Sequence, residues 1–304
     1  MAQNFGGIDY HEKDAIPIRQ PAYAELLVDS EDRASGQTPA NFTIYRNQAL
    51  LYGYFYRLAI TQLQLHWDMP TIVSGVNNQF QITNPSPLDT IDVVIPEGYY
   101  NPTTLAAAIQ TAIQAFGGWA TTFTCAFNSL NGGLVISSNS ATTFYITAPN
   151  PGSSNYALFR NTARSIGLTP ANFNSATPAT VQNLGAPGLL YTRYIDIISR
   201  NLTKYQRVKD SDTSATNVKS FIVARIYLSS PSNSLIETTA TSGVGSNPFN
   251  LTVDYNTPKF IKFSPDEALN EIDIQVLDEY GDQLYWDGVA AAWEFAFSLY
   301  ASES

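Results

Sequence analysis

The sequence predicts a mainly β protein in which a small α+β block is inserted between two strands of a larger β-sandwich. Apolar and polar residues alternate with a period of two along much of the chain, which is typical of strands with one buried face. A strong helical pattern occurs only near residues 101–118, and strand patterns flank it on both sides. The alternative is two tandem domains, but it leaves residues 40–96 with too few strands to close a core.

The alternation is clearest in the closing stretch of the chain. Ile272, Ile274 and Val276 form one face of a strand, and the large side chains of residues 293–299 form one face of the last strand. Such a row needs a facing sheet to cover it. We expect this cover from strands at residues 56–67 and 218–230.

Composition limits the class of protein. The 304 residues are enough for one large all-β domain or two ordinary domains, and 44% of them are hydrophobic. Charged residues make up 14% of the chain, whereas soluble domains usually have about 25%. A low charge density indicates a surface that is covered by protein contacts, or the neutral polar surface of a secreted β domain.

The charge and the cysteine count exclude other classes. The net charge of −10 disfavours binding of phosphate by a basic field over the whole protein. One basic concentration occurs, at Arg200, Lys204, Arg207 and Lys209, and nearby acids favour a solvated face over a phosphate site. Cys125 is the single cysteine, so no disulfide within the chain is possible. We expect no signal peptide and no membrane span.

The first part of the chain is predicted to be an arm followed by strands. Residues 1–38 are interpreted as an N-terminal arm, with a short strand or turn at 24–28. The apolar parity shifts along residues 56–67: Leu58 and Ile60 share one face, and Leu63, Leu65 and Trp67 share the other. This shift indicates a β-bulge or a strand in two packing environments. The other predicted strands of this part are 41–45, 79–83 and 90–96.

Residues 97–180 are predicted to form the inserted α+β block. Asn101 is a good N-cap, Pro102 suits the first helical position, and Gly117 and Gly118 end the helix. A second short helix is expected over residues 156–168. The short strands predicted between the helices are 123–127, 134–138 and 144–148, the first two joined by a hairpin turn. After a linker at 169–188, the predicted strands are 189–199, 218–230, 249–255 and the closing runs.

Residues that could support catalysis or metal binding are few. The histidines are His11, in the arm, and His66, at a strand end, where a structural role is the better interpretation. Five acids cluster near the end of the chain, which suits a calcium or glycosidase-like site or, as we favour, ordinary turns and strand faces, because the spacing fits no EF-hand loop. These acids are Asp273, Asp278, Glu279, Asp282 and Asp287. We therefore predict no catalytic, cofactor-binding or metal-binding residues, no cofactor and no enzyme activity.

Three stretches carry a resemblance to one protein family. They are VVIPEGYYNPTTLAAAIQTAI, followed by FTCAF, LVISS, FYIT and ARSIGLT; LLYTRYIDIISRNLTKYQ; and PKFIKFSPDEALNEIDIQVLDEYG with the aromatic strand after it. Together they resemble the penton, or minor capsid, proteins of virophages, polinton-like viruses and related double-stranded DNA viruses. The resemblance covers most of residues 40–300 and consists of apolar and turn patterns.

The resemblance implies a fold and a division of the chain. It implies a single jelly-roll β-sandwich, with a small α+β domain inserted between two of its strands. The sandwich would comprise residues 39–96 and 181–304, and the inserted domain residues 97–180. Eight main strand candidates are what two facing four-stranded sheets require.

The resemblance also implies a structural role in the virion. The protein would be a penton that forms a homopentamer at the fivefold vertices of an icosahedral capsid and contacts the major capsid protein. The inserted domain is a candidate for binding a host receptor, no specific nucleic acid is expected, and synthesis would take place in the host cytoplasm or virus factory. The alternatives are a carbohydrate- or receptor-binding β module and a polysaccharide-acting enzyme.

Overall fold

The structure is a computed structural model, which describes the chain from residue 23 to residue 302 with internal gaps. The described ranges are 23–45, 50, 55–85, 88–116, 122–139, 142–147, 156–168, 178–204, 221–228, 249–256, 258–263, 269–285 and 293–302. Within them, no helix has the length and apolar character needed to cross a membrane. The predicted elements that fall in other ranges, including residues 1–22 of the arm, lie outside the described residues.

Strands dominate the described residues. The strands are β1 (Tyr23–Asp29), β2 (Asn41–Tyr45), β3 (Arg57–Trp67), β4 (Gln79–Pro85), β5 (Leu88–Val94), β6 (Phe123–Asn128), β7 (Gly133–Ser138), β8 (Tyr145–Thr147), β9 (Val181–Asn183), β10 (Tyr194–Ile198), β11 (Ile222–Tyr227), β12 (Phe249–Asp254), β13 (Ile261–Lys262), β14 (Glu271–Leu277) and β15 (Trp293–Ser302). The helices are α1 (Pro102–Gln114), α2 (Tyr156–Ser165) and α3 (Arg200–Thr203).

Nine of the strands form two facing sheets. One sheet has the order β1-β15-β3-β12, with the short β13 also paired to β3, and the other has the order β11-β10-β14-β2. All the pairings are antiparallel. Apart from β10 and β11, which are neighbours, and β12 and β13, which both pair with β3, strands consecutive along the sandwich part of the chain lie in opposite sheets. This is the jelly-roll topology, so the predicted single jelly roll with an inserted α+β block is confirmed.

The sandwich core lies between the two sheets. Trp293, Phe295 and Phe297 of β15 are buried, and the Phe42 ring of β2 lies 5.8 Å from the Phe295 ring. The other strands of the facing sheet, β10, β11 and β14, also contribute buried apolar side chains, so part of the expected cover from residues 218–230 is present as β11. The expected cover from residues 56–67 is wrong: β3 pairs with β15 in the same sheet, because alternation identifies a buried face but not the strand opposite it.

The parity shift in β3 is resolved by a β-bulge. β3 pairs Gln62 with Ser298 but Ile60 with Leu299, so one residue, Thr61, has no residue directly opposite it on β15. The extra residue shifts the alternation of side chains by one position, so odd-numbered residues take over the buried face from even-numbered ones. Both apolar sets of β3 therefore point into the same core, where Leu58 and Leu63 are fully buried.

The inserted block has a core of its own. Two three-stranded sheets, β5-β4-β8 and β6-β7-β9, pack with α1 and α2 around buried apolar residues drawn from positions 72–168 and 184. Asn101 caps α1 as predicted: its Oδ1 accepts from the Thr104 N–H at 2.8 Å, and Thr104 Oγ1 accepts from the Asn101 N–H at 2.9 Å. This reciprocal capping box holds the start of the helix.

Three strands have other partners than the sequence suggested. The predicted arm of residues 1–38 contains β1, which pairs with β15 along its whole length as an edge strand of the sandwich. The strands predicted at 79–83 and 90–96 were counted in the sandwich. As β4 and β5 they pair with each other, β4 also pairs with β8, and their buried side chains belong to the core of the inserted block. Period-two alternation is the same in either core, so it does not identify the sheet.

The inserted block leaves the sandwich at one end and returns there. It follows Trp67, the last residue of β3, and it precedes Tyr194, the first residue of β10. This end of the sandwich is called the insert end below. The other end, called the opposite end, carries Arg57 at the start of β3 and Ser302 at the end of β15, which pair with each other.

Candidate functional site at the junction of the two cores

A tight turn after β14 supplies carboxylates to the insert end. The Asp278 N–H donates to the Asp282 carbonyl at 2.8 Å, and Gly281, which has φ of 84°, allows the reversal. The Asp278 Oδ1 accepts from the N–H groups of Tyr280 at 2.8 Å and Asp282 at 3.0 Å. The turn thereby fixes the positions of Glu279 and Asp282 relative to the sandwich.

Helix α2 of the inserted block presents two arginines to this turn. Arg160 and Arg164 are four residues apart and therefore lie on the same helical face. The helix is tied to the start of the block as well, because Thr162 Oγ1 accepts from the Gln79 N–H at 3.1 Å and Ser165 Oγ accepts from Asn77 Nδ2 at 3.0 Å. The positions of both arginines follow from these contacts.

Glu279 is the centre of the junction. Its side chain is 2% exposed and lies between two guanidinium groups. Arg193 Nε donates to Oε2 at 2.5 Å, whereas Arg164 Nη1 lies 2.9 Å from Oε1 as an ion pair without an aligned hydrogen bond. Arg164 Nη1 also donates to the Tyr191 carbonyl at 2.7 Å. A carboxylate of the sandwich thus holds an arginine of the inserted block and one of the return connection.

A second, more exposed contact flanks the first. Arg160 Nη2 donates to Asp282 Oδ2, whose side chain is 59% exposed. The Arg160 guanidinium also lies 4.2 Å from the centroid of the Tyr280 ring, a cation–π geometry. The aromatic contact orients the arginine, and the exposed ion pair adds little stability of its own.

Burial shifts the pKa values of groups at the junction. Asp278 is 4% exposed, and burial raises its pKa to about 6 although two backbone N–H groups donate to the carboxylate. Burial lowers the pKa of Arg164, which the nearby Glu279 charge partly offsets. Burial likewise raises the pKa of the Tyr191 and Tyr280 hydroxyls. The junction therefore responds to pH through Asp278.

The charged contacts of the junction connect the inserted block to the sandwich. Each carboxylate of the junction faces an arginine or backbone N–H groups. A buried ion pair adds little net stability compared with an apolar contact, but the loss of one partner is costly. The junction therefore suits the setting of one orientation of the inserted block on the sandwich.

The five predicted acids do not form one site. Asp273 lies near the other end of β14, where its carboxylate accepts from the Ser199 hydroxyl at 2.9 Å and from the Asn201 N–H at 2.8 Å at the start of α3. Asp278, Glu279 and Asp282 share the turn described above, and Asp287 lies outside the described residues. The interpretation of turns and strand faces fits these positions, but it missed their partners Arg160, Arg164 and Arg193.

The other residues that the sequence singled out are apart from the junction. His66 lies on the outer face of the first sheet, where its Nδ1 is 2.7 Å from Asn250 Oδ1. Cys125 is buried in β6, and burial raises the pKa of its thiol to about 12, which keeps it unreactive. Arg200 and Lys204 lie at α3, whereas His11, Arg207 and Lys209 lie outside the described residues.

One cavity lies on the outer face of the first sheet. It measures about 230 Å³ and is lined by residues of β3, β12, β15 and the end of β1, including His66 and Glu294. Ligand pockets for small molecules usually measure about 300–1,000 Å³. Among the described residues, no group of three or more His, Cys, Asp or Glu side chains is placed to hold a metal ion.

Comparisons with known proteins give structural matches. No family model and no curated protein sequence match the chain. Among solved structures, it is similar to a selenomethionine-labelled mavirus penton protein, with 10% identity and a TM-score of 0.47 over 93% of this chain and 99% of that chain. A chain in the cryo-EM structure of the Sputnik virophage has 12% identity and a TM-score of 0.41 over 93% of this chain and 98% of that chain.

The first of these matches is a penton protein, and the second comes from a virophage. The jelly-roll assignment itself rests on the strand order and pairing of this chain.

Proposed function

We propose that this protein is a structural component of a viral capsid, a penton that forms a pentameric ring at the fivefold vertices. The observation that carries the proposal is the architecture: a single jelly roll with one compact block rooted at one end. The motifs that resemble penton proteins support the same role. A ring of identical subunits is held by contacts alone and needs no catalytic residue.

The lateral edges of the sandwich support ring formation. β1 and β2 are the edge strands on one side, and their exposed apolar side chains include Leu27, Tyr23 and Tyr45, with Leu27 61% exposed. On the other side, Tyr227 of the edge strand β11 is 65% exposed. Contact between unlike sides of neighbouring copies is heterologous, and such contacts close into rings.

The proposed orientation in the particle follows from the difference between the insert end and the opposite end of the sandwich. The insert end would face outward, so that the inserted block projects from the particle and is available to a host receptor. β1 begins at the opposite end, since Tyr23 pairs with Ser302. We propose that the arm before it reaches toward the interior or toward neighbouring major capsid proteins. We keep the sandwich and the inserted block as two domains, with the block spanning about residues 72–189 by its core contacts.

Native mass spectrometry of the purified full chain tests the ring. We expect pentamers at micromolar concentration, because an obligate interface buries about 2,000 Å² or more. A Leu27→Glu variant places a charge on the proposed contact side and should remain monomeric. A Leu130→Glu variant is the matched control, because Leu130 is 96% exposed on the β6–β7 hairpin of the inserted block. A wild-type chain that stays monomeric at high concentration contradicts the proposal.

A further inference from the structure

We propose that the opposite end of the sandwich binds the phosphate backbone of nucleic acid without sequence preference. The binding surface, called the basic patch below, consists of Tyr56, Arg57, Lys259, Phe260 and Lys262. It goes beyond the proposed capsid role, which does not require contact with nucleic acid.

The positions of the patch residues are fixed by the sandwich core. Arg57 and Lys262 are directly opposed on β3 and β13. Their neighbours Leu58 and Ile261 are likewise opposed and are buried, so alternation directs both cations to the outer face. The Arg57 guanidinium lies 5.7 Å from the centroid of the Phe260 ring.

The patch residues are available to a partner. Phe260 is 45% exposed and Tyr56 is 48% exposed. Arg57, Lys259 and Lys262 are exposed, and no carboxylate among the described residues pairs with them. At the insert end, by contrast, the Arg160, Arg164, Arg193 and Arg225 side chains each pair with a carboxylate.

Charge is distributed unevenly between the two ends. The inserted block and the insert end carry most of the described acids, among them Asp89, Asp92 and Glu97 of the block. At the opposite end, α3 packs against β13 and adds the exposed Arg200 near the patch. The opposite end also carries Glu271 and Asp273. In a chain with a net charge of −10, a polyanion would, among the described residues, be repelled by the insert end and attracted to the basic patch.

The residue types of the basic patch favour binding of nucleic acid over binding of other polyanions. Cations interleaved with exposed aromatic rings combine phosphate neutralisation with a surface on which bases stack. Binding to an anionic membrane would use the same cations but gains nothing from base stacking. If the inserted block faces outward, this end faces the interior of the particle, where a packaged genome lies.

Fluorescence anisotropy of the full chain with a labelled mixed-sequence DNA duplex of about two helical turns tests the proposal. Three contacted phosphates predict a slope of log affinity against log salt of about −2.7, so affinity falls about 40-fold when salt rises fourfold. The variant Arg57→Gln/Lys259→Gln/Lys262→Gln should flatten this slope by about 2.7, to near zero. Phe260→Ala should weaken single-stranded DNA binding more than duplex binding.

A matched control lowers the net charge by the same three units, but in the inserted block instead of in the basic patch. Thr103→Glu/Thr124→Glu/Ser129→Glu adds three negative charges at exposed positions of the inserted block and should leave the salt slope unchanged. Equal loss of binding by this control, or wild-type affinity in the patch variant, overturns the proposal. Binding of wild-type protein to phosphatidylserine–phosphatidylcholine vesicles but not to DNA also overturns it. The assay measures DNA binding by monomers and by rings, so it tests DNA binding even if the protein does not form rings.

Discussion

The contrast between Glu279 and Asp282 is a direct test of the junction between the two cores. Both carboxylates belong to the same turn and both pair with an arginine of α2. They differ in burial: the Glu279 side chain is 2% exposed and the Asp282 side chain is 59% exposed. Glu279→Gln and Asp282→Asn each remove one charge with little change in shape, so the comparison isolates the effect of burial.

The expected magnitudes follow from that difference. Loss of the Glu279 charge leaves the mostly buried Arg164 guanidinium without its counter-ion, which should cost about 3 kcal/mol or more of unfolding free energy. Loss of the Asp282 charge breaks an exposed pair and should cost about 0–1 kcal/mol. For a chain of this size, about 2 °C of melting temperature corresponds to 1 kcal/mol, so the two variants should melt roughly 6 °C and 0–2 °C below wild type.

Thermal unfolding followed by circular dichroism or calorimetry measures both variants under the same conditions. An Arg164→Met/Glu279→Gln double variant, measured together with the two single variants, completes a double-mutant cycle. It should cost less than the sum of the two single substitutions, because neither charge is then left buried alone. Equal melting temperatures for Glu279→Gln and Asp282→Asn would refute the reasoning that burial makes the Glu279 contact the stronger constraint.

Three further predictions concern the core, the pH response and the backbone. Phe297→Ala, in the fully packed row of β15, should cost about 3–5 kcal/mol in urea unfolding, and a cost below 1 kcal/mol would contradict the core assignment. Asp278 has a pKa raised to about 6; the folded state therefore binds this proton more readily, and stability should rise by up to about 3 kcal/mol as pH falls from 7 to 4. Asp278→Asn should remove that rise, and an unchanged pH profile would contradict it. A Cβ on Gly167 would lie 2.1 Å from the Gly185 carbonyl oxygen, so Gly167→Ala should abolish soluble protein, whereas Gly132→Ala, with φ of 70° and open space, should cost about 1 kcal/mol; similar yields for both would contradict the close approach.

Local features of the fold could be predicted from the sequence because they depend on neighbouring residues. The capping box at Asn101 and the β-bulge in β3 are examples, since each is written in a few consecutive positions. The predicted parity shift even identified the strand in which the extra residue lies. Hydrophobic periodicity, helix-capping residues and turn residues therefore predict most strand and helix positions to within a few residues.

Long-range pairing could not be predicted in the same way. β1 alternates as weakly as an edge strand often does, so the pattern alone predicts an arm with a short strand or turn. β4 and β5 alternate as strongly as a sandwich strand, so the pattern alone predicts that they belong to the sandwich. The junction was missed for the same reason. Arg164 and Glu279 are far apart in sequence and meet because two separate cores bring their elements together. The available signal was the spacing of Arg160 and Arg164 on one helical face.

Under the proposed function, this single jelly roll serves as the fivefold vertex of a capsid. Cryo-EM of purified particles that contain the chain locates it in the particle. We predict density at the fivefold axes that fits five copies of the sandwich, with the inserted blocks outermost and the basic patches toward the interior. A vertex built of another protein, or particles that lack this chain, would contradict the claim.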